Sequence, residues 1–134
     1  MAALPGCRLI ARSPLYRTAP VGPQQQPHFI NAVAGLLTQL TGAQLLADLK
    51  ALEKSLGRTL PVERWGPRVI DFDVLALGAQ RIDTEALTVP HREIAQRAFA
   101  LVPLAEVAPT LELPGVGRVA TLLANVDASG VQAL

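Results

Sequence analysis

The hydrophobic residues of this chain form two kinds of pattern, one typical of strands and one typical of helices. Residues 8–16 and 29–40 carry closely spaced apolar side chains, and the second run is apolar on both faces, which predicts a central strand. Pro14 removes a backbone donor from the first run, so we expect an edge position or a bulge there. A third apolar run, residues 69–77, ends at Gly78 and predicts a mostly buried strand.

The helical signal is clearest between the second and third runs. Leucines from Leu45 to Leu56 recur at helical spacing, and a capping box precedes them at Thr41 and Gln44. Gly57 is expected to stop this helix. The second half of the chain predicts three helical segments and two turns: residues 78–80 (turn), 91–99 (helix), 103–107 (helical turn), 113–117 (turn) and 120–126 (helix). Strands and helices mixed in this way predict an α+β fold.

Composition narrows the class of protein. The 134 residues suit a single domain, residues 1–134, that is large enough for a hydrophobic core. Half of them are hydrophobic, yet no apolar run approaches the roughly 18 residues that a membrane span needs. A net charge of +1 gives no reason to expect a nucleic-acid or membrane partner, and the single cysteine, Cys7, excludes an internal disulfide. With no signal-peptide pattern at the start, we expect a cytoplasmic protein without an obligate protein partner.

Two aspartates interrupt the third apolar run. Asp71 and Asp73 are two positions apart, so along a strand their side chains project from the same face, with Cα atoms about 6.6 Å apart. Carboxylates in an apolar strand are costly unless their charge is compensated, and Mg²⁺ prefers such oxygen ligands together with substrate phosphates. Arg64 and Arg68, just upstream, present planar guanidinium groups that suit phosphate oxygens. The segment therefore predicts a metal and phosphate site.

Each of these residues also has a simpler interpretation. An Asp-x-Asp pair at the end of a strand is often only a polar cap, and Trp65 alone is more often a packing residue. Asn31 can form a local hydrogen bond, a single His91 is usually a cap or a surface residue, and Glu53 suits a solvated charge. Because the arginine, tryptophan and aspartate motifs adjoin one another, the functional interpretation is favoured.

Residues 64–73, Arg-Trp-Gly-Pro-Arg-Val-Ile-Asp-Phe-Asp, resemble the signature of the 6-hydroxymethyl-7,8-dihydropterin pyrophosphokinases, a family of folate synthesis. Other segments fit the same family in the expected order: residues 16–23, 29–32, 87–91 and 97–104. The resemblance extends over residues 9–109. It implies an α+β fold, in which helices flank a ferredoxin-like antiparallel sheet. It also implies transfer of pyrophosphate from ATP to the dihydropterin, with release of AMP.

The resemblance implies a role for each matching position. Asp71 and Asp73 would bind two Mg²⁺ ions that bridge the ATP phosphates, and Asp71 would assist removal of the hydroxyl proton. Arg58 and Arg68 would join them as catalytic residues. The residues that match contacts to ATP are Glu53, Arg58, Arg68, Val74, Thr88, His91 and Arg97.

The resemblance also implies a pocket for the pterin ring. Its matching residues are Thr18, Val21, Phe29, Asn31, Trp65 and Phe99. Phe29 and Phe99 would stack on the two faces of the ring, and Asn31 would complement its amide edge. Trp65 would lie on a loop that closes over the substrates and excludes water.

The sequence departs from the family pattern in two places. Leu60 and Pro61 stand where many relatives have basic residues, which weakens the expected phosphate clamp. Relatives begin with a strand, a Gly-Ser-Asn-Leu-Gly segment and a long helix, whereas this sequence begins near the end of that helix. We therefore expect the first strand and most of the first helix to be missing, which would leave unpaired backbone groups and an uncovered apolar face. Such a chain should be poorly stable and weakly active.

Two other functions stay open at this point. A non-catalytic module would bind pterin or nucleotide through the same residues without turnover. An unrelated metal-dependent phosphohydrolase would use Asp71 and Asp73 and would consume ATP without any pterin. The ordered set of motifs disfavours the second of these.

Overall fold

The computed structural model describes residues 4–18, 29–59 and 71–134. The strands within these ranges are β1 (Cys7–Arg12), β2 (Tyr16–Thr18), β3 (Phe29–Asn31), β4 (Ala34–Thr38), β5 (Ile82–Asp83), β6 (Thr88–Val89), β7 (Glu112–Leu113), β8 (Gly117–Arg118) and β9 (Val131–Ala133). The helices are α1 (Gly42–Thr59), α2 (Ala98–Val107) and α3 (Val119–Ala124), with a short 3-10 helix at Ile94–Gln96. The predicted α+β class is confirmed, although the described strands form four small antiparallel sheets instead of one. None of the described helices is both long and apolar enough to cross a membrane.

A break at Pro14 divides the first predicted strand. Ser13 N–H donates to the Val33 carbonyl (2.8 Å), and Val33 N–H donates to Ser13 Oγ (2.9 Å). These two hydrogen bonds join the break between β1 and β2 to the break between β3 and β4. The prediction of single strands over residues 8–16 and 29–40 is therefore wrong, because each range holds two strands. β1 pairs with β4, while β2 lies between β3 and β9. Within the described residues, β3 and β4 each have one neighbouring strand, so the predicted central position stays a prediction.

Helix α1 begins with the predicted capping box. Thr41 N–H donates to Gln44 Oε1 (2.9 Å), and Gln44 N–H donates to Thr41 Oγ1 (3.2 Å). Leu45 and Leu49 are buried on the inner face of the helix. Gly57 does not stop the helix, contrary to prediction. A glycine ends a helix through a left-handed backbone, and Gly57 is not among the glycines with positive φ.

The segment of residues 71–77 is not a strand, so the prediction of a buried strand is wrong in the part that the structure describes. No described strand pairs with it. Its backbone is held instead by a side chain of α1 and by the backbone of His91. Gly78 forms the predicted turn with φ +56°, and Gln80 N–H donates to the Leu77 carbonyl (3.0 Å).

The larger core cluster lies between α2, α3 and the β7–β8 hairpin. Its buried members are Ile94, Ala100, Leu101, Leu104, Leu113 and Val119. The predicted turn at residues 113–117 is confirmed as the bend of this hairpin, and α3 matches the helix predicted at 120–126. The helix predicted at 91–99 is wrong, because the 3-10 helix and the first turn of α2 occupy that range. Pro103 lies inside α2 and does not begin a new helical turn there.

A cavity of about 840 Å³ is bordered by β4 and by residues 71–78. Its apolar walls include Leu36, Leu45, Leu49, Leu104, Val107 and Leu111. Leu37 of β4 and Ile10 of β1 lie on the outside of this sheet, with exposed fractions of 57% and 56%. The exposed apolar patch of β1 and β4 is therefore formed by Ile10 and Leu37, since Leu9 is paired with Leu36 on the opposite face.

Candidate active site

Asp71 and Asp73 lie on one side of the segment that borders the cavity. Both are exposed, and both line the cavity. Phe72 and Val74, which alternate with them, are partly buried and pack against the cluster of α1 that contains Leu45. This alternation agrees with the predicted projection of both carboxylates to one side. Phe72 and Val74 also line the cavity, so the two carboxylates are distinguished from them by their exposure.

The aspartate segment is fixed at two points. Phe72 N–H donates to Glu53 Oε1 (2.6 Å), which links the peptide between the two aspartates to α1. The Leu75 carbonyl accepts a hydrogen bond from His91 N–H (2.8 Å), which links the same segment to the start of the 3-10 region. Charge-assisted hydrogen bonds such as the first are about twice as strong as neutral ones. Glu53 and His91, both predicted to contact ATP, therefore flank the predicted metal ligands.

Glu53 is not the solvated charge that its sequence position alone suggested. Its side chain is only 12% exposed, and Lys50 Nζ lies 3.8 Å from Oε2. Partial burial of a carboxylate is tolerated when hydrogen bonds and a cation compensate it. Both compensations are present, since Glu53 accepts the Phe72 N–H and faces Lys50.

Arg97, one of the predicted nucleotide contacts, has two side-chain partners in the structure. Glu93 Oε2 accepts hydrogen bonds from Arg97 Nε (3.0 Å) and Nη2 (2.6 Å). The guanidinium carbon also lies 5.5 Å from the centre of the Phe99 ring, which is within the range of a cation–π contact. The structure thus joins a predicted phosphate contact, Arg97, to a predicted pterin contact, Phe99.

The other predicted pterin residues lie on two paired strands. In the register of β2 and β3, Thr18 is opposite Phe29 and Tyr16 is opposite Asn31. Phe29 is 53% exposed, so its ring is accessible to a planar ligand. The Thr18 hydroxyl is buried and has no hydrogen-bond partner within the described residues. Helix α2, which carries Phe99, contacts both β2 and β3.

Of the remaining predicted site residues, the structure describes the side chains of Val74 and Thr88, and the others lie outside the described part. Val74 lines the cavity and packs toward α1, while Thr88 is on β6 opposite Asp83. Val21, Trp65 and Arg68 lie outside the described residues, as do Leu60 and Pro61. Arg58 is in α1, but its side chain is also outside the described part of the structure.

Two residues with functional or supporting contacts were not found from the sequence. Glu93 binds Arg97, and their spacing of four residues was a signal that could have found the pair. Glu106 accepts a hydrogen bond from the Tyr16 hydroxyl (2.9 Å) across 90 residues of sequence, so no local signal exists for it. Burial raises the pKa of Tyr16, and the hydrogen bond to Glu106 and its negative charge raise it further.

The residues present fit a bound Mg²⁺ ion. Asp71 and Asp73 supply carboxylate oxygens at an accessible cavity, and this ion commonly takes one or two carboxylates together with phosphates and water. In the parts of the chain that the structure describes, no group of three or more His, Cys, Asp or Glu residues could hold a metal ion.

Paired carboxylates at a cavity in an α+β fold, with an arginine stacked on an aromatic ring nearby in the sequence, are features expected of an enzyme that handles a phosphorylated substrate. Comparison with known sequences narrows this class. The chain belongs to the family described as 7,8-dihydro-6-hydroxymethylpterin-pyrophosphokinase (HPPK), whose family model matches residues 1–109. The resemblance found in the sequence motifs is thereby confirmed.

Individual relatives extend the match to nearly the whole chain. A protein of Methylorubrum extorquens named 2-amino-4-hydroxy-6-hydroxymethyldihydropteridine pyrophosphokinase is 47% identical over 132 residues, which is 98% of this chain and 82% of that protein. A Pseudomonas aeruginosa protein of the same name is 46% identical over 131 residues, covering 98% of this chain and 80% of the relative. A Bacillus subtilis protein, again with this name, is 42% identical over 100 residues, covering 75% and 59% respectively.

Proposed function

We propose that this chain transfers pyrophosphate from ATP to the hydroxymethyl group of 6-hydroxymethyl-7,8-dihydropterin and releases AMP, as a step of folate synthesis. The observation that supports this most directly is the position of Asp71 and Asp73, which are both exposed at a cavity in a chain of the pyrophosphokinase family. The names of the relatives support the same substrates.

In this reaction the hydroxymethyl oxygen of the pterin attacks the β-phosphorus of ATP. A new bond forms between that oxygen and the β-phosphorus, while the bond from the β-phosphorus to the oxygen bridging the α- and β-phosphates breaks. AMP leaves with the bridging oxygen, and the hydroxyl proton is lost. The chemistry needs positioning and stabilisation of charge more than covalent help from the protein.

Asp71 and Asp73 would hold two Mg²⁺ ions. Bound metal ions neutralise the charge that develops on the phosphate oxygens. Glu53 fixes the peptide between the two aspartates, so the spacing of the carboxylates does not depend on the ions alone. Asp71 would also assist removal of the hydroxyl proton, directly or through water.

The cationic residues would bind the nucleotide. Arg97 and His91 lie on either side of Glu93 in the chain and would contact the phosphates, together with Arg58 and Arg68. Val74 and Thr88 would border the nucleoside, and Glu53 would contribute from α1.

The pterin would lie between Phe29 and Phe99, because a flat ring gains from offset aromatic contacts on both faces. Asn31 would pair with its amide edge. The buried Thr18 hydroxyl supports this proposal, since a ligand with polar ring atoms would supply the hydrogen-bond partner that the described residues do not. Val21 and Trp65 would complete the pocket.

The proposal predicts that Asp71→Asn and Asp73→Asn each lower the rate of AMP release on the order of a hundredfold or more, because each removes a charged metal ligand. AMP release would be measured with ATP, Mg²⁺ and the dihydropterin, and chelation of the metal should abolish it. Glu112→Gln is the matched control, since Glu112 is exposed, pairs with Arg118 on the β7–β8 hairpin and does not itself line the cavity.

Three results would contradict the proposal, and each indicates a different alternative. Binding of ATP and pterin without AMP release would identify a non-catalytic module. Loss of ATP without pterin would identify a phosphohydrolase. Full activity of both asparagine variants would show that the aspartates are not the metal ligands.

A further inference from the structure

We infer that Glu93 is a positioning residue for the nucleotide site: it holds Arg97 in the orientation that receives the ATP phosphates. This inference rests on the proposed function, because Arg97 is assigned to the phosphates there. Glu93 itself matches no motif of the sequence analysis, and its role is carried by its contacts in the structure.

The first observation is the pair of hydrogen bonds that Glu93 accepts from the guanidinium of Arg97. One carboxylate oxygen, Oε2, accepts from both Nε (3.0 Å) and Nη2 (2.6 Å) of Arg97. A guanidinium has five N–H donors in a fixed plane. The carboxylate therefore occupies the edge formed by Nε and Nη2, and the edge formed by Nη1 and Nη2 still has donors to offer to phosphate oxygens.

The second observation is that the same guanidinium is restrained from another direction. Its central carbon lies 5.5 Å from the centre of the Phe99 ring. The side chain of Arg97 is 32% exposed, so it is accessible to a ligand while two neighbours limit its motion. An arginine that is already oriented loses less conformational entropy when it binds, which lowers the cost of recognition.

The third observation links Glu93 to the neighbouring phosphate residue. Glu93 N–H donates to His91 Nδ1 (3.1 Å). When Nδ1 of a neutral imidazole accepts a hydrogen bond, the proton is on Nε2, which can then donate to a ligand. Glu93 thus orients His91 through its backbone and Arg97 through its carboxylate.

Positioning and simple electrostatics predict opposite results for removal of this carboxylate. If Glu93 were only a negative charge near the polyphosphate, its removal would lessen repulsion and strengthen ATP binding. If Glu93 orients Arg97, its removal frees the guanidinium to adopt other rotamers and weakens ATP binding. The sign of the change therefore decides between the two.

The test compares Glu93→Ala and Glu93→Gln with the unmodified chain in the AMP-release assay. We expect Glu93→Ala to raise the KM for ATP about tenfold with little change in kcat, the pattern of a lost binding contribution. Glu93→Gln keeps an oxygen acceptor and should raise the KM less. Both variants retain the backbone N–H that contacts His91, so the measurement isolates the contact with Arg97.

Two further variants separate positioning from general damage. Glu112→Ala removes a comparable exposed ion pair, that with Arg118 at 2.9 Å, and should leave the KM unchanged. In an Arg97→Ala background, Glu93→Ala should have no additional effect, because the group that it orients is gone. Melting temperatures are expected to change little, since exposed pairs of this kind contribute little to stability.

An unchanged or lower KM for ATP in Glu93→Ala would overturn the inference, and so would an equal additional effect in the Arg97→Ala background. These results differ from a failure of the proposed function. If Arg97→Ala raises the KM while Glu93→Ala does not, the proposed function stands and the positioning role falls. If the unmodified chain itself releases no AMP with ATP, Mg²⁺ and the dihydropterin, the proposed function is wrong, whereas an unaffected Arg97→Ala shows that Arg97 does not bind the phosphates.

Discussion

At the scale of single residues, the contact between Tyr16 and Glu106 connects two distant parts of the chain. Tyr16 is buried on β2, beside the strand position of Thr18, and its hydroxyl donates to Glu106 Oε1 on α2. A buried hydroxyl without a partner would be costly, so this bond satisfies the one polar atom of an otherwise apolar ring. The bond also ties α2, which carries Phe99, to the strand that carries Thr18.

Replacing Tyr16 by phenylalanine should lower the free energy of unfolding at neutral pH by about 0.5–1.5 kcal/mol, the usual contribution of one hydrogen bond. Urea denaturation would measure it. The pKa of Tyr16 is raised in the folded chain above its ordinary value of 10.0, so its neutral form is favoured by folding. That contribution is complete below pH 10.0 and is lost as the pH rises through the higher folded pKa.

Above pH 10.0 the free energy of unfolding of the unmodified chain should therefore fall because Tyr16 ionises. The Tyr16→Phe variant has no hydroxyl at this position and should not show this part of the decline. Glu106→Gln is the control, because its amide oxygen can still accept the tyrosine hydrogen bond. A Tyr16→Phe variant with the same stability and the same alkaline decline as the unmodified chain would show that the contact contributes nothing.

At the scale of secondary-structure elements, α1 contains a glycine that its helical conformation does not need. Among the described residues, no atom lies within 4 Å of the position that a Cβ atom at Gly57 would take. Gly57 has no left-handed φ, and the helix continues past it. Glycine in such a position costs stability because its unfolded backbone has more freedom to lose.

Gly57→Ala is expected to raise the free energy of unfolding by about 0.5–1 kcal/mol. Gly42, at the other end of the same helix, is the matched control. A Cβ atom there would lie 2.9 Å from both Ile82 Cδ1 and Leu87 Cδ2, so Gly42→Ala should give no stabilisation. Thermal and urea unfolding of both variants would test this, and equal gains at the two positions would contradict the explanation.

At the scale of the whole molecule, the apolar surface is not fully covered by the described residues. The exposed apolar patch of β1 and β4 adjoins a sheet that contains two strands, and exposed patches on such edges favour association between molecules. Leu36 of β4 packs toward α1, so Leu37 projects from the opposite face, where it is 57% exposed.

Leu37→Lys should therefore reduce concentration-dependent association while leaving the melting temperature nearly unchanged, because little buried area is lost. Sedimentation velocity over a range of protein concentrations would measure the association. Val116→Lys serves as the control, since Val116 is 38% exposed and lies on the β7–β8 turn, outside β1 and β4. If both variants associate as the unmodified chain does, the patch does not mediate contacts.

The sequence predicted those features whose partners lie within a few residues of one another. The capping box of Thr41 and Gln44, the turn at Gly78 and the hairpin bend at residues 113–117 all depend on local contacts. Strand formation depends on a neighbour elsewhere in the chain, which a run of apolar residues does not reveal. For that reason residues 71–77 were wrongly predicted as a strand, and β9 was missed.

The same distinction between local and long-range contacts applies to the candidate site. The alternation that places Asp71 and Asp73 on one side could be read from their spacing, and the exposure of both agrees with it. The hydrogen bond from Phe72 N–H to Glu53 could not be predicted, because nothing in the sequence shows which part of α1 faces the aspartate segment. The catalytic and binding roles of these residues stay predictions that the variants above would test.

The pairing of β9 with β2 has a practical consequence for handling the protein. Thr18 lies opposite Val131, and Leu134 N–H donates to the Leu15 carbonyl (3.0 Å), so residues 131–134 pair with the strand that carries Thr18, a predicted pterin contact. An affinity tag joined directly after Leu134 would disturb the pairing of β9 with β2. A flexible spacer, or attachment of the label to the exposed hairpin loop near Val116, would keep purification and immobilisation from distorting ligand measurements.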